Sequence, residues 1–208
     1  MERKGWLDDT WIVITSDHGE AFLEHGTYSH HQLYAEELHV PLIIRPPGGL
    51  ERGEVVKQVV GLMDVPATLL DIAGIGKPPM VQGSSVFPTG SIAARPVHST
   101  NNEAQHAHAL TAETHKLLQR TGHAGDSLFD RNTDPGERDD LLLGGAVEAS
   151  ADAPTDALRQ ALADALRAEA DRWRAEAQAL RDRLGEPVQA GALDPAQLET
   201  LRALGYVK

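Results

Sequence analysis

WIVITSDHGE, residues 11–20, decides how this chain is read. Its first half, WIVIT, is apolar or β-branched without polar alternation. That is the pattern of a strand covered on both faces, as in parallel sheets lying under helices. Its second half sets a carboxylate, Asp17, beside an imidazole, His18, at the carboxyl end of that strand, where open α/β sheets collect their ligands. Neighbouring side chains within a strand point to opposite faces, so Asp17 and His18 share one site only where the strand breaks. Gly19 permits a sharp turn that would swing His18 back beside Asp17. A carboxylate with an imidazole suits a divalent cation. Oxygen alone favours Mg or Ca, and the added nitrogen moves the balance toward Mn, Zn or Fe. The same residues also fit a plainer arrangement, in which Asp17 caps a helix starting near Glu20.

Outward from this stretch, VPLIIR (40–45) has the same uninterrupted apolar character and stops at Pro46-Pro47-Gly48-Gly49, a strong turn signal. EVVKQVVG (54–61) is a third, weaker strand candidate. DVPATLLDIAG (64–74) predicts a helix, with Asp64 as its cap, Pro66 in its first turn and Gly74 at its stop. Residues 75–96, rich in Gly, Pro and Ser, read as a connecting loop. The short runs RPVHST (95–100), HALTAE (108–113), HKLLQR (115–120) and DSLFD (126–130), separated by turn-prone breaks, predict a small four-stranded antiparallel sheet. Over 155–184, Leu158, Leu162, Leu166, Trp173, Ala177, Leu180 and Leu184 recur mostly three and four apart, which is one apolar face of a long helix ended by Gly185 and Pro187. DPAQLETLRALGY (194–206) reads as a short last helix. The order predicts part of a mixed α/β layer over residues 1–90, followed by a small α+β unit over 91–208.

Composition narrows the function. The 208 residues carry a formal net charge of −12, which argues against a general nucleic-acid or anionic-membrane binder, since both need clustered Lys and Arg. Cysteine is absent, so disulfides, thiolate metal sites and a cysteine nucleophile are excluded within this chain. The opening MERKGWLDDTW has no apolar core of a signal peptide, and no stretch approaches the ~20 apolar residues of a membrane span. Five of the ten histidines fall between His18 and His39. His25, His30 and His31 lie in the loop that follows Asp17 and His18. An imidazole there can donate a proton to a leaving oxygen or, as imidazolium, hold an anion. Any one of them taken singly fits an ordinary surface residue, as does His39.

DDTWIVITSDHGE, EHG and LYAEELHVPLIIRPPG together resemble the C-terminal half of the sulfatase family, within the alkaline-phosphatase-like superfamily. The likeness continues in VVGLMDVPATLLDIAGI, which is similar to the family's D-x-x-P-T-L-L-D-x-A-G segment with Ala67 before Thr68. SLFDRNTDPGERDDLL resembles its L-Y-D-L-x-x-D-P-x-E-x-x-N-L signature, and LETLRALGYV resembles a common closing segment. The landmarks fall in family order from residue 8 to residue 207. The resemblance implies a sulfatase-like mixed α/β domain followed by a small subdomain. It implies that Asp17 and His18 ligate a divalent cation, usually calcium, with Mn or Zn fitting the histidine. It further implies a leaving-group or anion contact at His30, where the family often has lysine, with His31 beside it. Glu36 and Glu37 are expected to be structural. The implied substrate is an anionic ester, either a small molecule or a sulfated glycan.

The family's nucleophile, a formylglycine made from Cys or Ser in C/S-x-P-x-R, has no counterpart in this sequence. Asp8 and Asp9 precede a strand and do not match the family's other metal acids. Met1 therefore reads as an internal start, a fragment boundary or a split gene. Three functions compete: a segment of a sulfate-ester hydrolase, inactive alone; a non-catalytic relic or binding module; and part of a phosphoric or phosphonic ester hydrolase of the same superfamily. Compartment stays open, although full-length relatives are often exported. Residues 1–75 are expected to be marginally stable alone, and 95–208 to fold better.

Overall fold

A computed structural model describes residues 5–49, 53–88, 93–101, 107–120, 125–143 and 156–184. After a 3-10 turn at Trp6–Asp8, the elements run β1 (Ile12–Thr15), β2 (Ala21–Phe22), β3 (Tyr28–Ser29), α1 (Ala35–Leu38), β4 (Leu42–Arg45), α2 (Asp64–Ile72), β5 (Val97–Asn101), β6 (Ala107–Thr111), β7 (His115–Arg120), β8 (Ser127–Asp130) and α3 (Asp156–Leu184). This is a mixed α/β fold with an antiparallel meander and a long helix. The chain divides into two compact units, Met1–Ala170 and Asp171–Lys208. The expected helix over 194–206, and Gly185 and Pro187, lie outside the described residues.

WIVIT and PLIIR form strands as expected, but β1 and β4 pair antiparallel, with Val13 opposite Ile44 and Ile14 opposite Ile43. Only one face is covered. Val13, Leu42 and Ile44 share an apolar gap with Val65, Thr68 and Leu69 of α2 and with Val86. On the other face Ile14 and Ile43 are 52% and 55% exposed. An unbroken apolar run reports how much surface seeks cover. It carries no information on the direction of the neighbouring strand, which is why the parallel, doubly covered reading fails here. EVVKQVVG forms no strand, and Val55 is 85% exposed.

The helix α2 appears where predicted, and Gly74 closes it in the left-handed conformation with φ 68°, while the Ile75 N–H donates to the Leu70 carbonyl at 2.9 Å. Asp64 is not its cap. The carboxylate accepts the Gly61 and Ser84 N–H groups at 2.9 Å each and pairs with Arg95. Thr68 Oγ1 accepts the Val86 N–H at 3.1 Å. The two polar side chains therefore fasten the loop of residues 83–86 onto α2.

The meander β5-β6-β7-β8 is buried on both faces because its strands alternate two sets of apolar residues. One set, Ala107, Ala109, Leu118 and Phe129, packs on Leu33 and Tyr34, which precede α1. The other set, Leu110, Leu117 and Leu128, packs on Ala163, Leu166 and Ala170 of α3. Each fully buried leucine is worth about 1.5–3 kcal/mol. The stripe predicted along α3 is covered in part: Leu166 is buried, while Leu158 and Leu184 are 60% and 61% exposed. Among the described residues no helix is long and apolar enough to cross a membrane.

Candidate metal and anion site

At the end of β1 the chain turns through Ser16, Asp17 and His18, and the next element is a strand, β2. With no helix beginning near Glu20, Asp17 has nothing to cap. The turn is held locally. Ser16 Oγ donates to the His18 carbonyl at 2.8 Å, and the Asp17 carboxylate accepts the His18 N–H at 3.1 Å. Gly19 is needed here, although its backbone does not enter the left-handed region. Its N–H donates to the Glu37 carbonyl at 2.7 Å, and a Cβ there would stand 2.0 Å from the Glu36 carbonyl oxygen. The requirement is close approach of two backbones.

A short hairpin, absent from the sequence-based expectation, builds the rest. β2 and β3 pair with Ala21 opposite Ser29, so Glu20 and His30 meet at the next position along the ladder. His30 Nδ1 lies 3.1 Å from Glu20 Oε2. The His30 ring stacks on the His18 ring with centroids 4.0 Å apart, and the His31 ring stands 5.0 Å from that of His30. Donor atoms of His18, Glu20 and His30 all lie within 4.8 Å of one another, and all three residues are exposed. Asp17 borders this cluster: its carboxylate is 88% exposed, with Oδ2 3.9 Å from His18 Nε2. Of the predicted site residues, the fold thus brings Asp17, His18, His30 and His31 into one neighbourhood. Glu20 is the member that sequence reasoning missed. The signal was present in AFLEHGTYS, two short runs separated by a five-residue, Gly-containing loop.

Electrostatics favour the charged forms. Backbone N–H groups, that of His18 among them, hold the Asp17 carboxyl below its ordinary range, and the nearby imidazole adds to this. The bond from His18 to the Gly19 carbonyl raises the imidazole above its usual value against some desolvation, and Asp17, Glu20 and Glu37 add to the rise. The carboxylate of Glu37, itself buried, accepts the Gln32 and Leu33 N–H groups at 2.8 and 2.7 Å and so fixes the approach to α1. Leu23, Ser29 and Leu33 hold positive φ values of 80°, 97° and 63°. Each such non-glycine residue costs on the order of 1–3 kcal/mol and persists only where its surroundings enforce it.

His25 takes no part in this cluster. Its Nδ1 lies 2.7 Å from Glu36 Oε1, its Nε2 lies 3.0 Å from the Glu137 carbonyl, and its ring stacks at 3.6 Å on Tyr34. The buried Glu137 carboxylate accepts Lys116 Nζ at 2.7 Å and the Ala35 N–H at 3.0 Å. Tyr34 Oη accepts an Arg120 N–H at 2.7 Å. The DPGERDD segment therefore ties the loop bearing the cluster to the meander.

The mixed α/β fold is shared with solved proteins of the alkaline-phosphatase-like class. The family model described as Sulfatase matches residues 1–75. Human arylsulfatase K is 34% identical in an alignment 149 positions long that covers 63% of this chain and 27% of that protein. A solved 2-O GAG sulfatase superposes with a TM-score of 0.67 at 26% identity, covering 82% of this chain and 37% of the other. A protein solved in complex with its substrate D-glucosamine-2-N,6-O-disulfate gives a TM-score of 0.56 at 27% identity, covering 82% of this chain and 36% of the other. Over residues 1–75 the chain is similar to the sulfatase family, and it spans 27% of the human relative and little more than a third of the solved ones.

Proposed function

We propose that the chain supplies Asp17 and His18 to the divalent-metal site of a sulfate-ester hydrolase, with His30 and His31 contacting the anionic group or the leaving oxygen. The observation carrying this reading is the placement of the Asp17 carboxylate and the His18, His30 and His31 imidazoles together at one exposed strand end, inside the segment the sulfatase model matches. The family implies a divalent metal. Asp17 and His18 fit a hard cation in part: the carboxylate is a donor of suitable type, the imidazole suits a borderline ion better, and calcium takes 6–8 oxygens. Calcium is the ion we assign from the family, bound weakly by this chain alone. When bound, such an ion polarises the ester oxygen. Asp17, kept ionised by its N–H contacts, holds negative charge at the site, and His30 or His31 as imidazolium offers a proton to the departing oxygen.

With no cysteine and no Ser-x-Pro-x-Arg in the sequence, covalent catalysis has no attacking atom here, so the chain is expected to be inactive by itself. The substrate we favour is a sulfated sugar, on the strength of the structural relative bound to a glucosamine disulfate. The test is turnover of an aryl sulfate by the 208-residue chain, alone and mixed with a polypeptide comprising the N-terminal part of a sulfatase. Activity only in the mixture, abolished by Asp17→Asn, supports the reading. Robust metal-dependent turnover by the chain alone overturns its inactivity, and indifference of the mixture to Asp17→Asn overturns the metal role.

A further inference from the structure

The hairpin register gathers a second donor set that shares His18 with the Asp17 pair and is chemically different from it. Glu20 and His30 meet across β2 and β3, and His18 stacks on His30. His18 Nδ1 lies 2.7 Å from the Gly19 carbonyl. A carbonyl only accepts, so Nδ1 carries the hydrogen and, in the neutral ring, the Nε2 lone pair is left free to bind. A second partner that fixes the tautomer in this way is the arrangement that orients histidine ligands in metal sites. His30 Nδ1 and Glu20 Oε2 are already 3.1 Å apart. Two donors each about 2.0–2.1 Å from a tetrahedral zinc stand about 3.4 Å apart, so this edge needs almost no rearrangement. The third vertex closes by side-chain rotation, because the donor atoms spread over no more than 4.8 Å and all three residues are exposed.

We propose that His18, Glu20 and His30 form a site for a borderline divalent cation of the zinc class, distinct in donor set from the Asp17–His18 pair. Two imidazole nitrogens and one carboxylate match the preferences of Zn and its neighbours, whereas Ca and Mg seek oxygen. The remaining position is open to water. Since His30 is also the residue assigned to the anion, an ion held here withdraws it from that task, and zinc-class cations oppose the hydrolase function. The proposal shares His18 with the reading above and stands or falls separately from it.

The experiment is calorimetric titration of the 208-residue chain with Zn alone and with Ca alone, repeated on single variants. Expected is one Zn site per chain that His30→Ala and Glu20→Gln each weaken at least tenfold, with calcium binding unchanged, and that His18→Ala weakens for both ions. His30→Gln, which keeps a polar side chain of similar bulk, serves as a second variant at that position, and far-UV circular dichroism confirms that each protein is folded. Zn affinity changed less than threefold by both Glu20→Gln and His30→Gln overturns the proposal. So does loss of Zn on Asp17→Asn with retention on Glu20→Gln, which would place the ion on the Asp17 pair. Failure of the calcium and turnover measurements on Asp17→Asn, with the Zn pattern intact, would sink the hydrolase reading alone.

Discussion

Gly19 lacks a side chain because the Glu36 carbonyl occupies the place where one would go, 2.0 Å from any Cβ. That neighbour is backbone held by α1, so it cannot swing aside. Gly19→Ala should therefore cost about 3 kcal/mol, the upper end of ordinary overpacking, and should separate His18 from His30 as the turn gives way. Urea denaturation reads the first effect, and loss of the mutual ring-current shift of the two histidines reads the second. An unchanged midpoint would refute the steric account. The histidines divide along the same line. His25→Ala removes a partly buried ring with two polar partners and a stacked tyrosine, so about 2–3 kcal/mol of stability should be lost. His30→Ala, half exposed, should stay within about 0.5 kcal/mol. Equal losses would mean that His30 too is structural. From sequence, His25 and His30 look alike, two imidazoles in a polar loop. What separates them is Glu36, Tyr34 and the distant Glu137, and contacts across so much chain leave no local signature.

Among the elements, the meander was legible because RPVHST, HALTAE, HKLLQR and DSLFD each carry strand-like runs bounded by turns, and each is a strand in the structure. The direction of β1 against β4 was not legible, since apolar content does not encode polarity of pairing. Glu137 shows the same limit. Its motif marked a turn, yet its carboxylate reaches Lys116 on β7 and the Ala35 N–H at α1. Both partners of this ion pair are buried, at 2% and 4% exposure. Glu137→Gln leaves an ammonium group without a counter-charge and should cost about 3–5 kcal/mol, while Lys116→Met/Glu137→Gln together should recover much of it. Burial lowers the Lys116 pKa below 10.5, against the opposing pull of Glu137. A lysine whose folded value lies below its unfolded value binds its proton more weakly in the native state. The penalty is therefore present below the folded pKa and fades as pH rises toward the unfolded one. With Glu137 neutralised the folded value falls further, so the Glu137→Gln variant should gain stability relative to the parent as pH rises toward the lysine's ordinary value of 10.5. Denaturant midpoints at neutral pH and near the lysine's unfolded value test this, and a gap that fails to narrow would mean that neutralising Glu137 does not loosen the proton on the buried lysine.

Across the Met1–Ala170 unit, cover is uneven. The meander has apolar partners on both faces, whereas the β1–β4 ribbon has them on one. The chain spans 27% of the length of its human relative, and Ile14 and Ile43, paired across the ladder, stand 52% and 55% exposed on the bare face. Two consequences follow from the same asymmetry. Local opening should be easier in the ribbon, so the amides of Ile12–Thr15 and Leu42–Arg45 should exchange at least 100-fold faster than those of Leu117, Leu118 and Leu128, a gap of about 2.7 kcal/mol in opening free energy. The bare ribbon should also draw copies together, because exposed apolar strands offer both surface and edge to a neighbour. Sedimentation of the chain at tens of micromolar should show mass above that of the monomer, and Ile14→Thr with Ile43→Thr should return it toward the monomer without changing the exchange rates of the meander. Those two threonines keep the β-branched shape that suits a strand and remove only the apolar contact. A sample already monomeric before substitution, or one that stays associated after it, would mean that the ribbon face does not drive association.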